Sequence, residues 1–157
     1  MEMMIEDLKQ LRESEDHIEF KEAKRNYPFA GGKHVDPKER RRCVLGYIVA
    51  LANEKGGRLV LGMADKMPHT VVGSDFAQDK VGELTDEIYE RLGIRIEATE
   101  LYEDGKRVLA FFGGNFYVNG GAEVACAVRF YVAHLQMAFF GNARRVYKVN
   151  AVLQNRV

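Results

Sequence analysis

The chain has no excess charge: 23 Lys and Arg balance 23 Asp and Glu. Such a balance argues against a protein that holds nucleic acid over its whole surface. Cysteine is scarce. Cys43 and Cys126 lie far apart at no metal-ligand spacing, which argues against a disulfide framework and makes Cys43 a buried thiol beside an apolar helical face. The four histidines, His17, His34, His69 and His134, are equally scattered and give no zinc-ligand pattern. No apolar run reaches the roughly 20 residues of a membrane span. The acidic opening MEMMIEDLKQ lacks the apolar core of a secretion signal, so the chain reads as soluble and cytoplasmic, with no membrane partner. A Gly-x-Ser-x-Gly element is missing, as is the Gly-Lys-Ser/Thr order of a Walker loop, which argues against a serine hydrolase and a P-loop nucleotide site. No glycine fingerprint follows a strand and opens a helix, as dinucleotide binding requires, and no internal repeat is present.

What is present suits one domain with a real core: 157 residues, 46% of them apolar. The chain is organised around Asp36 to Gly57. Asp36 with Glu39 forms a capping box, Pro37 suits the first helical position, and Val44, Tyr47, Ile48, Leu51 and Ala52 share one face. Gly56 and Gly57 stop the helix, because a helix end commonly needs positive φ. Met4 to Glu13 has helical spacing. His17 to Ala23 alternates as a half-buried strand, and Arg58 to Ala64 is a short apolar strand. Asn26 to Val35 reads as a loop, and Thr70 to Val72 as a short strand. A second main helix opens at Ser74 or Asp75, carries Val81, Leu84, Ile88 and Leu92 on one face, and stops at Gly93. Ile94 to Tyr102 and Lys106 to Phe112 form a hairpin about Asp104-Gly105. Beyond Gly113 the pattern changes to glycine-bracketed apolar stretches, with strands expected at Ala122 to Ala133 and Arg144 to Leu153. The expectation is an α+β domain: a mixed sheet, two main helices and a short N-terminal helix. Residues 1–112 form the domain, and 113–157 complete it or are appended to it.

The charge is unevenly spread. Residues 1–19 hold seven acids and two bases, residues 21–42 three acids and eight bases, and residues 75–104 ten acids and three bases. The middle stretch makes a limited electrostatic footprint. Its bases are Lys21, Lys24, Arg25, Lys33, Lys38, Arg40, Arg41 and Arg42; Asn53 and Lys55 add polar contacts where glycines let a ligand approach the backbone. Three arginines at a helix start suit a phosphate, since free N–H groups and cations would point the same way. They equally suit a solvated face. Tyr27 and Phe29 interleave with Lys33 and His34 in the loop; they could stack bases, or tuck into the core.

Glu19 and Lys21 project from one side of their strand. A carboxylate and an ammonium so placed can serve a divalent cation and a scissile phosphate, with Glu13 or Glu15 upstream and Asp65 after the next strand as further acids. Under this reading Glu19, Lys21 and Asp65 are catalytic, and Glu13, Glu15, Glu19 and Asp65 hold Mg²⁺ or Mn²⁺. Otherwise no cofactor is called for, and the pair is an ion-paired strand face.

Taken together, SEDHIEFKEAK, LGYIVALANEKGGRLVLGMAD, VVGSD and the GIRIEATELYEDGKRVLAF hairpin resemble the Schlafen AlbA-like DNA-binding domain family. That domain occurs in bacterial proteins described as RecG-related helicases or divergent ATPases. The resemblance runs from about Ser14 to Phe112. It implies an α+β fold that binds DNA or RNA. In some eukaryotic relatives it also implies a metal-dependent RNA nuclease site built from two glutamates, the second in Glu-x-Lys, and a later aspartate. Glu19 and Asp65 match the second and third acids. Glu13 is one residue too far from Glu19 for the first, and Glu15 one too near. Nucleic-acid binding therefore ranks first. A protein-interaction or dimerisation module, with possible homodimers through the acidic stretch and apolar tail, ranks second, and a nuclease third.

Overall fold

In the computed structural model, residues 3–13, 15–31, 42–53 and 56–113 are described. Among these residues three helices, α1 (Ile5–Leu8), α2 (Val44–Asn53) and α3 (Val81–Leu92), accompany four strands, β1 (Ile18–Lys21), β2 (Gly57–Leu61), β3 (Glu97–Glu103) and β4 (Lys106–Gly113). The strands make one mixed sheet in the order β1-β2-β4-β3. β1 runs parallel to β2, and the other two pairings are antiparallel. This is the expected α+β architecture. The expected strands beyond 113 lie outside the described residues.

Alternation along the strands gives the sheet two buried faces. On one, Ile18, Phe20, Val60, Val108 and Ala110 pack with Ile5 and Leu8 of α1 and with Met63 and Val71. On the other, Leu59, Leu61, Leu109 and Phe111 meet Leu45 and Ile48 of α2 and Leu84, Ile88 and Leu92 of α3. Each of these side chains larger than alanine contributes on the order of 1.5–3 kcal/mol by leaving water. α1 also reaches β3, through an ion pair between Lys9 and Glu103.

Several boundaries differ from those read off the sequence, for local reasons. β1 is shorter than His17 to Ala23 because both of those residues have positive φ, 49° and 44°, which strand pairing does not accept. β2 stops at Leu61 because Gly62 turns the chain at φ 99°; a Cβ there would lie 2.6 Å from the Arg107 carbonyl oxygen. The expected strand at Thr70 to Val72 reduces to a bridge between Met63 and Val71. α3 begins at Val81 rather than near Ser74, because Ala77 and Asp79 have positive φ. Ser74 instead ties the turn together: its Oγ donates to the Ala23 carbonyl at 2.6 Å and accepts the Phe76 N–H at 3.2 Å. Gly93 ends α3 in the left-handed region as expected, its N–H donating to the Tyr89 carbonyl at 2.7 Å. Asp104 and Gly105, both at positive φ, give the type I′ turn that Asp-Gly predicts.

Two buried polar side chains fasten loops to the sheet. The His69 ring stacks on Phe20 at 3.9 Å, with Nδ1 2.9 Å from the Ala64 carbonyl oxygen and Nε2 3.0 Å from that of Leu11. Arg107, 6% exposed, pairs with Glu100 through Nε, while its Nη1 donates to the carbonyls of Ser74 and Phe76 at 3.2 and 2.8 Å.

Candidate functional site

β1 is an edge strand, and its Glu19 and Lys21 stand opposite Leu59 and Leu61 on the face that α2 covers. The pair is therefore half-buried rather than free in solvent. Lys21 Nζ lies 2.9 Å from Glu19 Oε2 and 3.8 Å from Glu13 Oε1. It donates to the Phe20 carbonyl at 2.7 Å and sits 5.0 Å above the centre of the Tyr47 ring. Burial works to lower the Lys21 pKa, but the hydrogen bond and charge of Glu19, aided by Tyr47 and Glu13, outweigh it, and the net shift is upward. The ammonium is thus firmly charged and already shared by two carboxylates. Glu13 also serves the main chain, since its Oε1 accepts the Phe20 N–H at 2.9 Å and so covers a backbone donor of the edge strand.

Tyr27 approaches the same cluster. It stands edge-on to Phe76 with centroids 6.2 Å apart, and its hydroxyl is buried with no hydrogen-bond partner among the described residues. Burial first, then the nearby Tyr47, Cys43 and Glu19, push its pKa well above the ordinary range. Both Tyr27 and Phe29 are partly buried against the core, and Phe29 also lies under the Arg91 guanidinium at 5.3 Å. The loop aromatics are tucked inward, which settles the alternatives left open by their spacing.

Of the acids proposed for a cation, Glu13 and Glu19 meet about Lys21, but the set as a whole does not assemble. Glu15 is exposed and pairs with Arg12 at 3.4 Å, while Glu13 and Glu19 share Lys21. Asp65 is exposed in the turn after Met63, on the segment that His69 anchors to Leu11. Among the described residues, no three His, Cys, Asp or Glu side chains are arranged to hold a metal ion. The described donors thus do not give the several oxygen ligands around one point that Mg²⁺ or Mn²⁺ want.

The start of α2 also departs from the sequence reading. Arg42 and Cys43 precede the helix instead of lying inside it. Its leading N–H groups are all engaged. Val44 and Leu45 donate to the carbonyls of Pro28 and Phe29 at 3.0 Å each, and Tyr47 donates to that of Cys43 at 3.0 Å. Gly46 donates to Cys43 Sγ at 3.3 Å, so the thiol serves as the N-terminal cap. The expectation that free N–H groups await a phosphate here is therefore corrected: an anion at this end would be held by side chains. Of those, Lys24 is exposed and paired with Glu22 at 2.9 Å, and Arg25 and Arg42 are exposed. Lys33, Lys38, Arg40, Arg41 and Lys55 lie outside the described residues, as do the capping pair Asp36 and Glu39 and the side chain of Asn53.

Sequence reasoning did not find the Cys43 cap, the backbone role of Glu13, or Tyr47 as the floor under Lys21. A usable signal existed for the first alone, since Cys43 stands three residues before Gly46, the spacing of a capping side chain.

Set beside known proteins, the chain matches the family described as Schlafen, AlbA_2 over residues 14–117. No curated protein matches it. Among solved structures, it is similar to the DIP2311 protein from Corynebacterium diphtheriae, at 26% identity and a TM-score of 0.44, over 66% of this chain and 21% of that one. The chain thus spans about a fifth of that protein's length.

Proposed function

Because the chain belongs to the Schlafen AlbA_2 family, we propose that it is a nucleic-acid-binding module that grips the phosphate backbone of DNA or RNA. The observation that supports this reading is that the two described flanks of the basic stretch are tied to one another at the start of α2. Its first arm, Lys21 to Arg25, leaves β1; Arg42 marks the return of the chain; and the Pro28 and Phe29 carbonyls fasten the outgoing loop to Val44 and Leu45. The sequence of residues 21–42 carries eight bases against three acids, and its described beginning meets α2 at the Lys21–Tyr47 contact, although the protein as a whole is neutral. Cations concentrated in one stretch release counterions on meeting phosphate and give affinity with little sequence preference. The acid-rich stretch 75–104 keeps the footprint local.

The test is fluorescence anisotropy with labelled single- and double-stranded DNA and RNA of about 20 nucleotides, from about 50 to 200 mM salt. About five phosphate contacts give a log–log slope near −4 and a loss of several hundred-fold over that range. Absence of salt-sensitive binding to all four nucleic acids overturns the proposal. Incubation with Mg²⁺ or Mn²⁺ separates it from the nuclease alternative, under which the substrate would be cut.

A further inference from the structure

The two edges of the sheet formed by the described residues are treated differently. β1 has four residues, and the Phe20 N–H at its rim is capped by Glu13. β3, at the other rim, has seven residues. The type I′ turn makes Glu103 and Lys106 the hydrogen-bonded pair next to it, and bonded pairs then alternate. Ala98, Glu100 and Tyr102 accordingly direct their N–H and C=O groups away from β4. Among the described residues, no backbone hydrogen bond from another segment reaches them.

We propose that this outer edge of β3 is a docking edge for an extended, lysine- and arginine-rich segment of a partner protein, which adds to the sheet beside β3. Charge selects the occupant. Residues 75–104 hold ten acids against three bases. On the strand itself, Glu100 and Glu103 are paired with Arg107 and Lys9, while Glu97 and Asp104 have no ion-pair partner among the described residues. A second copy of β3 laid alongside would set glutamates against glutamates, which cross-strand pairing penalises. A basic strand meets the opposite condition: its main chain takes up the unpaired groups and its cations face the acids. Tyr102, 63% exposed, offers an aromatic face for the stems of such side chains. The proposal stands apart from nucleic-acid binding, which concerns the other end of the sheet.

The test uses the full chain, isotope-labelled, with a nine-residue peptide alternating lysine and valine. Two control peptides carry glutamate for lysine, or proline for the central valine. The lysine–valine peptide is expected to slow amide exchange at Ala98, Glu100 and Tyr102 by about tenfold or more. The Glu97→Lys variant is expected to weaken its binding about fivefold, and Glu97→Gln to weaken it less. Three results overturn the proposal. The proline peptide binds as well, so that only surface charge is at work; the glutamate peptide binds as well; or the three amides are already protected without peptide, so that the edge is taken by this chain or by a second copy.

Discussion

Replacing Glu19 by Gln should strengthen nucleic-acid binding, and the size of the gain follows from the site. Lys21 Nζ is held 2.9 Å from Glu19 Oε2 and 3.8 Å from Glu13 Oε1. Two carboxylates therefore offset one ammonium, and Lys21 offers phosphate little net attraction. Glutamine keeps the shape and a hydrogen-bonding oxygen but removes one negative charge. The local sum rises by one unit, equivalent to about one added phosphate contact. Each contact contributes about 0.7–0.9 to the slope of log affinity against log salt. The Glu19→Gln protein should therefore show a slope steeper by about that amount and bind about threefold more tightly when salt is lowered fourfold. The cost in stability should be small, about 0.5–1 kcal/mol, because Glu19 is 36% exposed and solvent screens the pair. Anisotropy titrations at several salt concentrations, with a thermal melt as control, measure both quantities. Weaker binding at every salt concentration, with an intact fold, would refute the reasoning, for it would mean that the carboxylate itself engages the ligand. Loss of a Mg²⁺-dependent cleavage in the same variant would point to the nuclease chemistry.

Arg107→Leu should lower stability by about 2–4 kcal/mol in urea unfolding, since it strips donors from Glu100, Ser74 and Phe76 at a site 6% exposed; a loss under about 1 kcal/mol would show that water replaces them. Gly57→Ala should cost about 2–3 kcal/mol, because its Cβ would lie 2.4 Å from the His17 oxygen that accepts the Arg58 N–H, whereas Gly82→Ala, in α3 with nothing within 4 Å, should gain about 0.5–1 kcal/mol. The opposite signs make chemical denaturation of the two variants a direct check on the β1–β2 contact. With its pKa raised above the unfolded value, Tyr27 stays neutral in the folded chain where the unfolded chain ionises. Its burial therefore costs stability only as pH rises above about 10, and ultraviolet titration of Tyr27→Phe against the parent should remove one late-titrating phenol. The Lys21 pair behaves alike on its lysine side: its raised pKa leaves its contribution intact below the ordinary value of 10.5 and loses it above.

The order of elements, the mixed α+β class and the family were legible in the sequence, because they rest on features that need no partner. Period-two alternation placed Ile18 and Phe20 opposite Glu19 and Lys21, helical spacing gathered Leu84, Ile88 and Leu92, and Asp104-Gly105 fixed the hairpin. These are local preferences, and the packed core left them unchanged. What lay beyond reach was decided between segments distant in the chain. Carbonyls of Pro28 and Phe29 met the first N–H groups of α2 and closed a helix start that composition had marked as open to phosphate. Glu13 turned to an edge amide and to Lys21 instead of joining Glu19 and Asp65 about a cation. The physical reason is the same in both cases: most buried polar groups are paired, and which partner each finds depends on what folding carries into hydrogen-bond range, a relation that residue spacing does not contain.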